Sequence, residues 1–364
     1  MNNFIYLDHA STTPLCEAAK KVILEHLDDF GNPSSSHELG RRTRVLIEDA
    51  RERIAKCINA EPDEIYFTSG GSEANTWVLN QHNTVASLFE HHSVNADVYL
   101  PVHKNGAIEP TLYSGVDHWT IDLISCMYVN NELGTIQSIK EIAEIAHDKK
   151  IWFHTDAVQA VGHIPIDVKD INCDMLSASG HKFGAPKGVG FLYIKKDGPE
   201  FDSLIYGGKQ EQGLRGGTEN VLGIVSMAAA LEDAVEHMEE RNAYIKNLRD
   251  KMIGKLLQIP GSNLNGSLKN RVCGNINIRF SGVSGARLVT LCSLYSVYIS
   301  SGSACNEGVS EPSHVLKAIG LTDEEALSSV RITIGHTNTE DEIEQAASII
   351  TSLVERMRNE NGIH

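Results

Sequence analysis

The sequence predicts an α/β protein built from one large and one smaller unit. From about residue 40 to residue 260, apolar strand candidates alternate with helical patterns. This order is typical of a mainly parallel or mixed sheet covered by helices. A second, shorter α/β pattern follows, and a length of 364 residues is enough for two such units.

The elements of the larger unit follow from its residue patterns. Leu46, Ala50 and Ile54 recur at helical spacing, and the stretch 139–146 has a similar apolar period. These helices lie between short runs rich in apolar and β-branched residues, which predict strands. The strand candidates are 64–68, 123–129, 151–155, 174–177 and 189–194.

The smaller unit begins after a long helical pattern at 219–257, which would bridge the two units. Alternating patterns at 274–280 and 329–334 predict strands, and a last helix is expected over about 340–358. We therefore place the boundary between the units near residue 252.

The net charge of the chain argues against some classes of function. The chain has 48 acidic and 32 basic side chains, a net charge of −16. Such a surface would repel phosphate backbones and anionic lipids, so direct binding to nucleic acid or a membrane is not expected. No basic start resembles a signal peptide, and no apolar run approaches the ~18 residues of a membrane span. A cytoplasmic location is therefore expected.

Seven cysteines are widely spaced and form no Cys-x-x-Cys pair. The spacing predicts neither a disulfide framework nor a metal site. Cys305 differs from the others, because the run 300–308 around it is polar and glycine-rich. A cysteine in such a loop is a candidate nucleophile, and the alternative is an incidental exposed thiol.

A glycine-rich turn at 68–75 follows a strand candidate and opens a helix. Glycines allow backbone N–H groups to approach an anion, and the helix N-terminus adds partial positive charge. We interpret Gly71 and Ser72 as part of a phosphate cradle. The alternative is a tight turn in which Ser72 caps the helix.

Two charged residues follow strand candidates. Asp156 ends an apolar strand, where a carboxylate can pair with a pyridine nitrogen; the alternative is a helix cap. Lys182 lies in a loop rich in serine, glycine and histidine, with Ser179 and His181 as possible phosphate donors. A lysine in this setting predicts a Schiff base with pyridoxal phosphate (PLP).

Arg331 lies in a strand candidate of the smaller unit. Its guanidinium can grip an α-carboxylate with two hydrogen bonds. The alternative is an ordinary salt bridge within the strand.

Together these motifs resemble the cysteine desulfurases of the NifS/IscS type, class-V aminotransferases among the fold-type-I PLP enzymes. The resemblance extends from residue 6 to about residue 338. It includes the stretches 6–14, 30–37, 129–134 and 207–220. It implies a large domain at 14–251 with a mainly parallel seven-stranded sheet between helices. Residues 1–13 and 252–364 would form a small domain that carries the cysteine loop.

The resemblance also implies a role for individual residues. Lys182 would be the Schiff-base lysine, Cys305 the sulfur acceptor, and His91 a ring-stacking residue that accepts the proton of the substrate thiol. The remaining cofactor contacts would be Gly71, Ser72, Asn131, Asp156, Gln159, Ser179, His181 and, from a partner subunit, Thr218. The substrate contacts would be Asn32, Asn131 and Arg331.

The implied activity converts L-cysteine to L-alanine and leaves a persulfide on Cys305. Implied partners are a second copy of the chain and a sulfur-acceptor protein, either an iron–sulfur scaffold or a thiolation enzyme. Alternatives are a selenocysteine lyase, a cysteine lyase, an aminotransferase on the same fold, or a non-catalytic relative. Three departures from the family pattern stand out: Ser72 replaces the usual threonine, the segment 80–130 is short, and the chain ends soon after its last helix.

Overall fold

The computed structural model describes residues 4–301, 311–360 and 362. They form a mixed α/β structure. The strands are β1 (Ile5–Tyr6), β2 (Ile65–Thr68), β3 (Thr84–Ser87), β4 (Val98–Leu100), β5 (Leu123–Ser125), β6 (Trp152–Asp156), β7 (Met175–Ser179), β8 (Gly190–Ile194), β9 (Ser262–Leu264), β10 (Asn275–Phe280), β11 (Val297–Tyr298) and β12 (Ser329–Thr333). The helices are α1 (Glu17–Glu25), α2 (Glu38–Cys57), α3 (Gly71–Leu79), α4 (Ile139–Asp148), α5 (Val168–Ile171), α6 (Val221–Glu236), α7 (Met238–Leu256), α8 (Gly285–Leu294), α9 (His314–Ala318), α10 (Asp323–Leu327) and α11 (Glu340–Glu360).

A seven-stranded sheet lies at the centre of the larger unit, in the order β2-β8-β7-β6-β5-β3-β4. The neighbours from β7 to β4 are parallel, and β8 runs antiparallel to both β7 and β2. The sheet is therefore mainly parallel, which confirms the expected fold class. Strands β2, β3, β5, β7 and β8 are buried along their whole length, as expected of strands covered on both faces.

Helices cover this sheet with their apolar faces. In α4, the buried residues Ile139, Ile142, Ala143 and Ala146 share one face. Helix α6 is apolar over most of its surface and packs against both α1 and α2. Its first turn is capped by Asn220, whose side-chain oxygen accepts the N–H of Gly223 at 3.1 Å.

The smaller unit has its own apolar core. Its antiparallel sheet has the order β12-β10-β9, and α7, α8 and α11 contribute to the same core. The N-terminal strand β1 pairs in parallel with β11, so the start of the chain belongs to the smaller unit. This core also includes Ile245 and Leu248, which precede the predicted boundary at residue 252.

Three sequence expectations differ in detail from the structure. The long helical pattern at 219–257 is two helices, α6 and α7, which meet at His237 with φ −102° and ψ 10°. The strand expected at 123–129 ends at Ser125. Two parallel strands, β3 and β4, lie in the segment 80–130, where the residue pattern had not indicated them. Among the described helices, none combines the length and apolar composition needed to cross a bilayer.

Candidate active site

Lys182 ends a short 3₁₀ turn that follows β7. Its Nζ donates to the carbonyl oxygens of Ala10 and Ser11, at 2.7 and 2.9 Å. The backbone of the lysine is held as well, since Nε2 of His163 lies 3.0 Å from its carbonyl oxygen. The N-terminal segment thus fixes the amine at the carboxyl end of the parallel strands, where α/β proteins bind ligands.

Asp156 is the last residue of β6 and is 4% exposed. One carboxylate oxygen accepts the side-chain amide of Asn75 at 2.6 Å, and the other accepts the N–H of Val158 at 3.0 Å. Asp156 pairs with Ser177 of the parallel strand β7. Asp156 and Lys182 therefore lie at the same edge of the sheet.

The glycine-rich turn brings the N-terminus of α3 close to these residues. A Cβ atom on Gly71 would lie 2.3 Å from Cγ2 of Val158, and one on Gly70 would lie 3.4 Å from Oγ of Ser179. Gly70 also has a φ of 152°, a conformation that side chains disfavour. Ser72 follows as an exposed residue in the first turn of the helix, and Gly70, not Ser72, is the helix cap. Glycine at both positions leaves space between Ser179 and the first turn of α3, and the first N–H groups of a helix have no partner within it, which is the geometry of an anion site.

His181 lies between Ser179 and Lys182, in the short 3₁₀ turn that follows β7. Its Nδ1 lies 3.2 Å from the hydroxyl of Thr12. Burial and the positive charges of Lys182 and Lys187 lower the pKa of His181 to about 4. The ring is therefore neutral near pH 7 and can serve a phosphate as a hydrogen-bond donor.

Gln159 and His91 lie near the lysine and the aspartate. Nε2 of Gln159 donates at 2.9 Å to the carbonyl of Ala10, which also accepts Lys182. Burial lowers the pKa of His91, and the charge of Lys182 acts in the same direction while Asp156 opposes it. Both charged groups therefore lie within electrostatic reach of the imidazole.

Arg331 is 5% exposed and lies on β12. Its guanidinium donates to the carbonyl of Asn131 at 3.0 Å, to Asp8 at 3.0 Å and to the hydroxyl of Ser11 at 2.6 Å. Within the described residues, Nε of Arg331 and Oδ1 of Asn131 are buried polar atoms without a hydrogen-bond partner. A bound carboxylate and amine would satisfy groups of this kind.

Three predicted site residues are not brought to this cluster by the described chain. Asn32 is exposed, and its side-chain oxygen accepts the N–H of Ser34 within its own loop. Thr218 is also exposed. Cys305 lies outside the described residues. The chain before Cys305 lies next to β12, because Ser300 exchanges two backbone hydrogen bonds with Arg331, at 2.7 and 3.0 Å.

Sequence reasoning assigned no role to several residues of the site. Asn75 lies in the glycine-rich motif, but nothing local showed that its amide would reach Asp156. The N-terminal residues Ala10 and Ser11 belong to the stretch 6–14, which carried part of the family resemblance. That resemblance was a signal in the sequence that these residues lie at the site. Glu132 was also missed: its buried carboxylate accepts the hydroxyl of Ser313 at 2.6 Å.

The residues present fit PLP. Gly71, Ser179 and His181 form a cradle for a phosphate, and a buried carboxylate is available for a pyridine nitrogen. The buried atoms of Asn131 and Arg331 that lack partners among the described residues suit an amino-acid substrate. Within the described part of the chain, no group of three or more His, Cys, Asp or Glu side chains is arranged to hold a metal ion.

Comparison with known proteins places this arrangement in context. The family model for class-V aminotransferases matches residues 5–346. A curated relative from Methanosarcina thermophila, named cysteine desulfurase IscS, is 42% identical over 380 residues, covering 98% of this chain and 94% of the relative.

Solved structures of two related proteins have the same fold as this chain. A protein described as NifS-like superposes with a TM-score of 0.90 at 32% identity, covering 97% of this chain and 100% of that structure. SspA, solved in complex with cysteine, superposes with a TM-score of 0.79 at 34% identity, covering 92% of this chain and 100% of that structure.

Proposed function

This chain belongs to the class-V aminotransferase family, and on that premise we infer that it is a PLP-dependent cysteine desulfurase. It removes the sulfur of L-cysteine and leaves L-alanine. The observation that carries this function is the convergence of Lys182, Asp156, the α3 N-terminus and Arg331 at one edge of the sheet. Relatives named as cysteine desulfurases are 40–42% identical to this chain over 98% of its length. This similarity favours a cysteine desulfurase over a selenocysteine lyase or a cysteine lyase.

We propose the following contacts for the cofactor. Lys182 binds it covalently through Nζ, and Asp156 holds a proton on the pyridine nitrogen. Gly71, Ser72, Ser179 and His181 bind the phosphate, and Gln159 contacts the ring hydroxyl. His91 stacks on the ring, Asn131 contacts the cofactor as well as the substrate, and Thr218 of a partner subunit completes the phosphate site. When bound, PLP supplies an electron sink for charge that develops at the substrate α-carbon.

We assign the substrate contacts to Arg331 and Asn131, with Asn32 as a further contact. The guanidinium of Arg331 is already oriented by Asp8, Ser11 and the Asn131 carbonyl, so little side-chain entropy is lost when it grips a carboxylate. Once freed by the incoming substrate amine, Nζ of Lys182 takes the proton from the α-carbon.

Sulfur then passes to Cys305 in the proposed scheme. The Cys305 thiolate attacks the substrate sulfur, and a sulfur–sulfur bond forms as the Cβ–sulfur bond breaks. The bonding electrons stay with Cβ, which takes up a proton to become the methyl group of alanine. The hydrogen bonds of Ser300 to Arg331 and of Ser313 to Glu132 support this assignment, because they attach the chain on both sides of Cys305 beside the substrate contacts.

One experiment tests the activity and the acceptor together. The PLP-loaded protein is treated with L-cysteine, alanine is quantified, and peptides are examined by mass spectrometry for one added sulfur atom. We expect alanine to appear with a single persulfide on Cys305. In Cys305→Ala, cofactor absorbance should persist while persulfide and turnover are lost; alanine released at the wild-type rate would refute the acceptor role. A parallel assay with selenocysteine measures substrate preference.

We further propose a homodimer that hands sulfur to an acceptor protein, such as an iron–sulfur scaffold or a thiolation enzyme. Leu24, Leu27 and Phe30 recur at a spacing of three residues and are 74%, 59% and 82% exposed in the single chain. A group of exposed apolar side chains supports a contact with a second copy. The six described cysteines are free thiols, in keeping with a reducing compartment such as the cytoplasm. Light scattering measures the oligomeric state, and a monomer with full activity would refute the shared site at Thr218.

A further inference from the structure

We propose that Ser93 and Asn75 are positioning residues that fix the tautomer of His91. The neutral ring then carries its proton on Nε2 and presents that N–H to the substrate as a hydrogen-bond donor. The inference deepens the desulfurase function, on which its consequence for catalysis rests, because it replaces the proton-acceptor role expected of His91.

The direction of the hydrogen bonds is set first at Asp156. Its two carboxylate oxygens can only accept, so the group 2.6 Å from Oδ2 must be the amide nitrogen of Asn75. The second hydrogen of that amide points to Oγ of Ser93, at 2.9 Å. Reversing the amide would place its carbonyl oxygen against the carboxylate. The orientation shown is therefore the one that electrostatics permits.

The next step follows at Ser93. A hydroxyl has one hydrogen, and its oxygen here already accepts from Asn75. The backbone N–H of Ser93 donates to Nδ1 of His91 at 3.1 Å, which makes Nδ1 an acceptor. Oγ of Ser93 lies 2.7 Å from the same Nδ1, so the hydroxyl hydrogen is donated there. Two donors therefore meet the in-plane lone pair of Nδ1.

A proton on Nδ1 would oppose both donors, so the neutral ring must hold its proton on Nε2. Burial acts in the same direction as this geometry, and it outweighs the opposing charge of Asp156. Burial lowers the pKa of His91, and the neighbouring His92 and Lys182 lower it further, whereas Asp156 raises it. His314 lies on the same side, with its ring 4.4 Å from that of His92. The imidazolium form is thus disfavoured.

This arrangement changes what His91 can do. Neither nitrogen offers a free lone pair, so the ring cannot take the proton of the substrate thiol. Nε2–H can instead donate to a sulfur that has already lost its proton, and hydrogen bonds to charged acceptors are the stronger ones. His91 would accordingly select the thiolate form of the bound cysteine.

Nitrogen-15 spectra of histidine-labelled protein test the tautomer without reference to turnover. His91→Gln identifies the signals of residue 91. Because the pKa of His91 is lowered, we expect an unprotonated Nδ1 and a protonated Nε2 at about pH 7 and above, with and without cofactor. A protonated Nδ1, or an even mixture of tautomers, would overturn the inference.

Variants of Ser93 test the cause. Ser93→Ala removes one donor to Nδ1, so the Nδ1–H or imidazolium form should become populated. The apparent pKa on the acid side of the pH profile of kcat/KM should then rise by about 0.5 unit or more. Ser93→Thr keeps the hydroxyl and should restore both readouts. Ser284→Ala, which removes a remote helix cap, is the matched control for loss of a serine hydroxyl. Unchanged spectra in Ser93→Ala would refute the role of Ser93.

The two proposals fail separately. A protein that shows the Nε2–H tautomer but releases no alanine contradicts the desulfurase function alone. An active desulfurase with a proton on Nδ1 contradicts the tautomer inference alone.

Discussion

The hydroxyl of Ser313 donates to the carboxylate of Glu132 across a distance of 2.6 Å, and both residues are buried. The contact joins residues 181 positions apart in the chain. The carbonyl of Glu132 also accepts the side-chain amides of Asn275 and Asn277 from β10, at 3.2 Å each. Glu132, which lies between β5 and α4 of the larger unit, thus contacts the smaller unit and the chain that follows Cys305.

Glu132 should make stability depend on pH. Burial raises its pKa from 4.5 to about 7, so the folded protein binds this proton more tightly than the unfolded chain does. The contribution of Glu132 to the free energy of unfolding should therefore be fully present below about pH 4.5 and be lost as the pH rises to about 7, a change of up to about 3 kcal/mol. Urea unfolding of Glu132→Gln should lack this component. Burial also raises the pKa of Glu90, to about 8, and that second component should remain in both proteins. Parallel pH curves for the two proteins would contradict the prediction.

Gly71→Ala should weaken cofactor binding. The added methyl group would lie 2.3 Å from Cγ2 of Val158, so Val158 or the start of α3 must shift. We expect PLP affinity to fall at least tenfold, about 1.4 kcal/mol, as measured by absorbance titration. Gly115→Ala is the control, because a methyl group there meets nothing within 4 Å. Equal affinities in the two variants would exclude α3 as the phosphate site.

Arg331→Lys should impair substrate binding. Lysine retains the charge but loses the planar fork that now reaches Asn131, Asp8 and Ser11. We expect KM for cysteine to rise about 10- to 100-fold with a smaller change in kcat. Arg279→Lys on β10 is the control and should leave KM near the wild-type value. A KM for Arg331→Lys within twofold of wild type would argue against a carboxylate contact.

Arg51 should be required for stability. Its guanidinium forms two hydrogen bonds with the buried carboxylate of Glu211, at 2.8 and 2.9 Å. Arg51→Ala leaves that carboxylate without its charge partner, so the free energy of unfolding should fall by about 3–5 kcal/mol. Arg53→Ala is matched to it, since the pair of Arg53 with Glu232 is partly exposed and should contribute less than about 1 kcal/mol. Similar losses in the two variants would contradict the role of burial.

The positions of Asp156 and Lys182 could be predicted because each follows a short apolar strand in the sequence. Parallel strands bring such residues to one edge, so local patterns sufficed. Contacts between distant segments left no such pattern. Nothing in the sequence near Lys182 shows that its amine reaches Ala10, or that Arg331 pairs with Asp8 at 3.0 Å.

The break between α6 and α7 escaped prediction for a related reason. His237 is neither glycine nor proline, so its residue type gave no signal for a break. The break is stabilised by Arg241, whose guanidinium donates to the carbonyl and the carboxylate of Asp233 in the preceding helix. A helical period cannot reveal a side chain that reaches back across the end of its own helix.

The pairing of β1 with β11 has a consequence for biosynthesis. Ile5 and Tyr6 leave the ribosome early, but their partners Val297 and Tyr298 are made only after the whole large sheet has been translated. The adjoining residues 10 and 11, which hold the Lys182 amine, gain their remaining anchors only after the same event, because the N–H of Ala10 donates to Thr333 and the hydroxyl of Ser11 accepts from Arg331. Nascent chains should therefore acquire the cofactor lysine's final environment late, and a stall before Val297 would leave a folded sheet without a finished site.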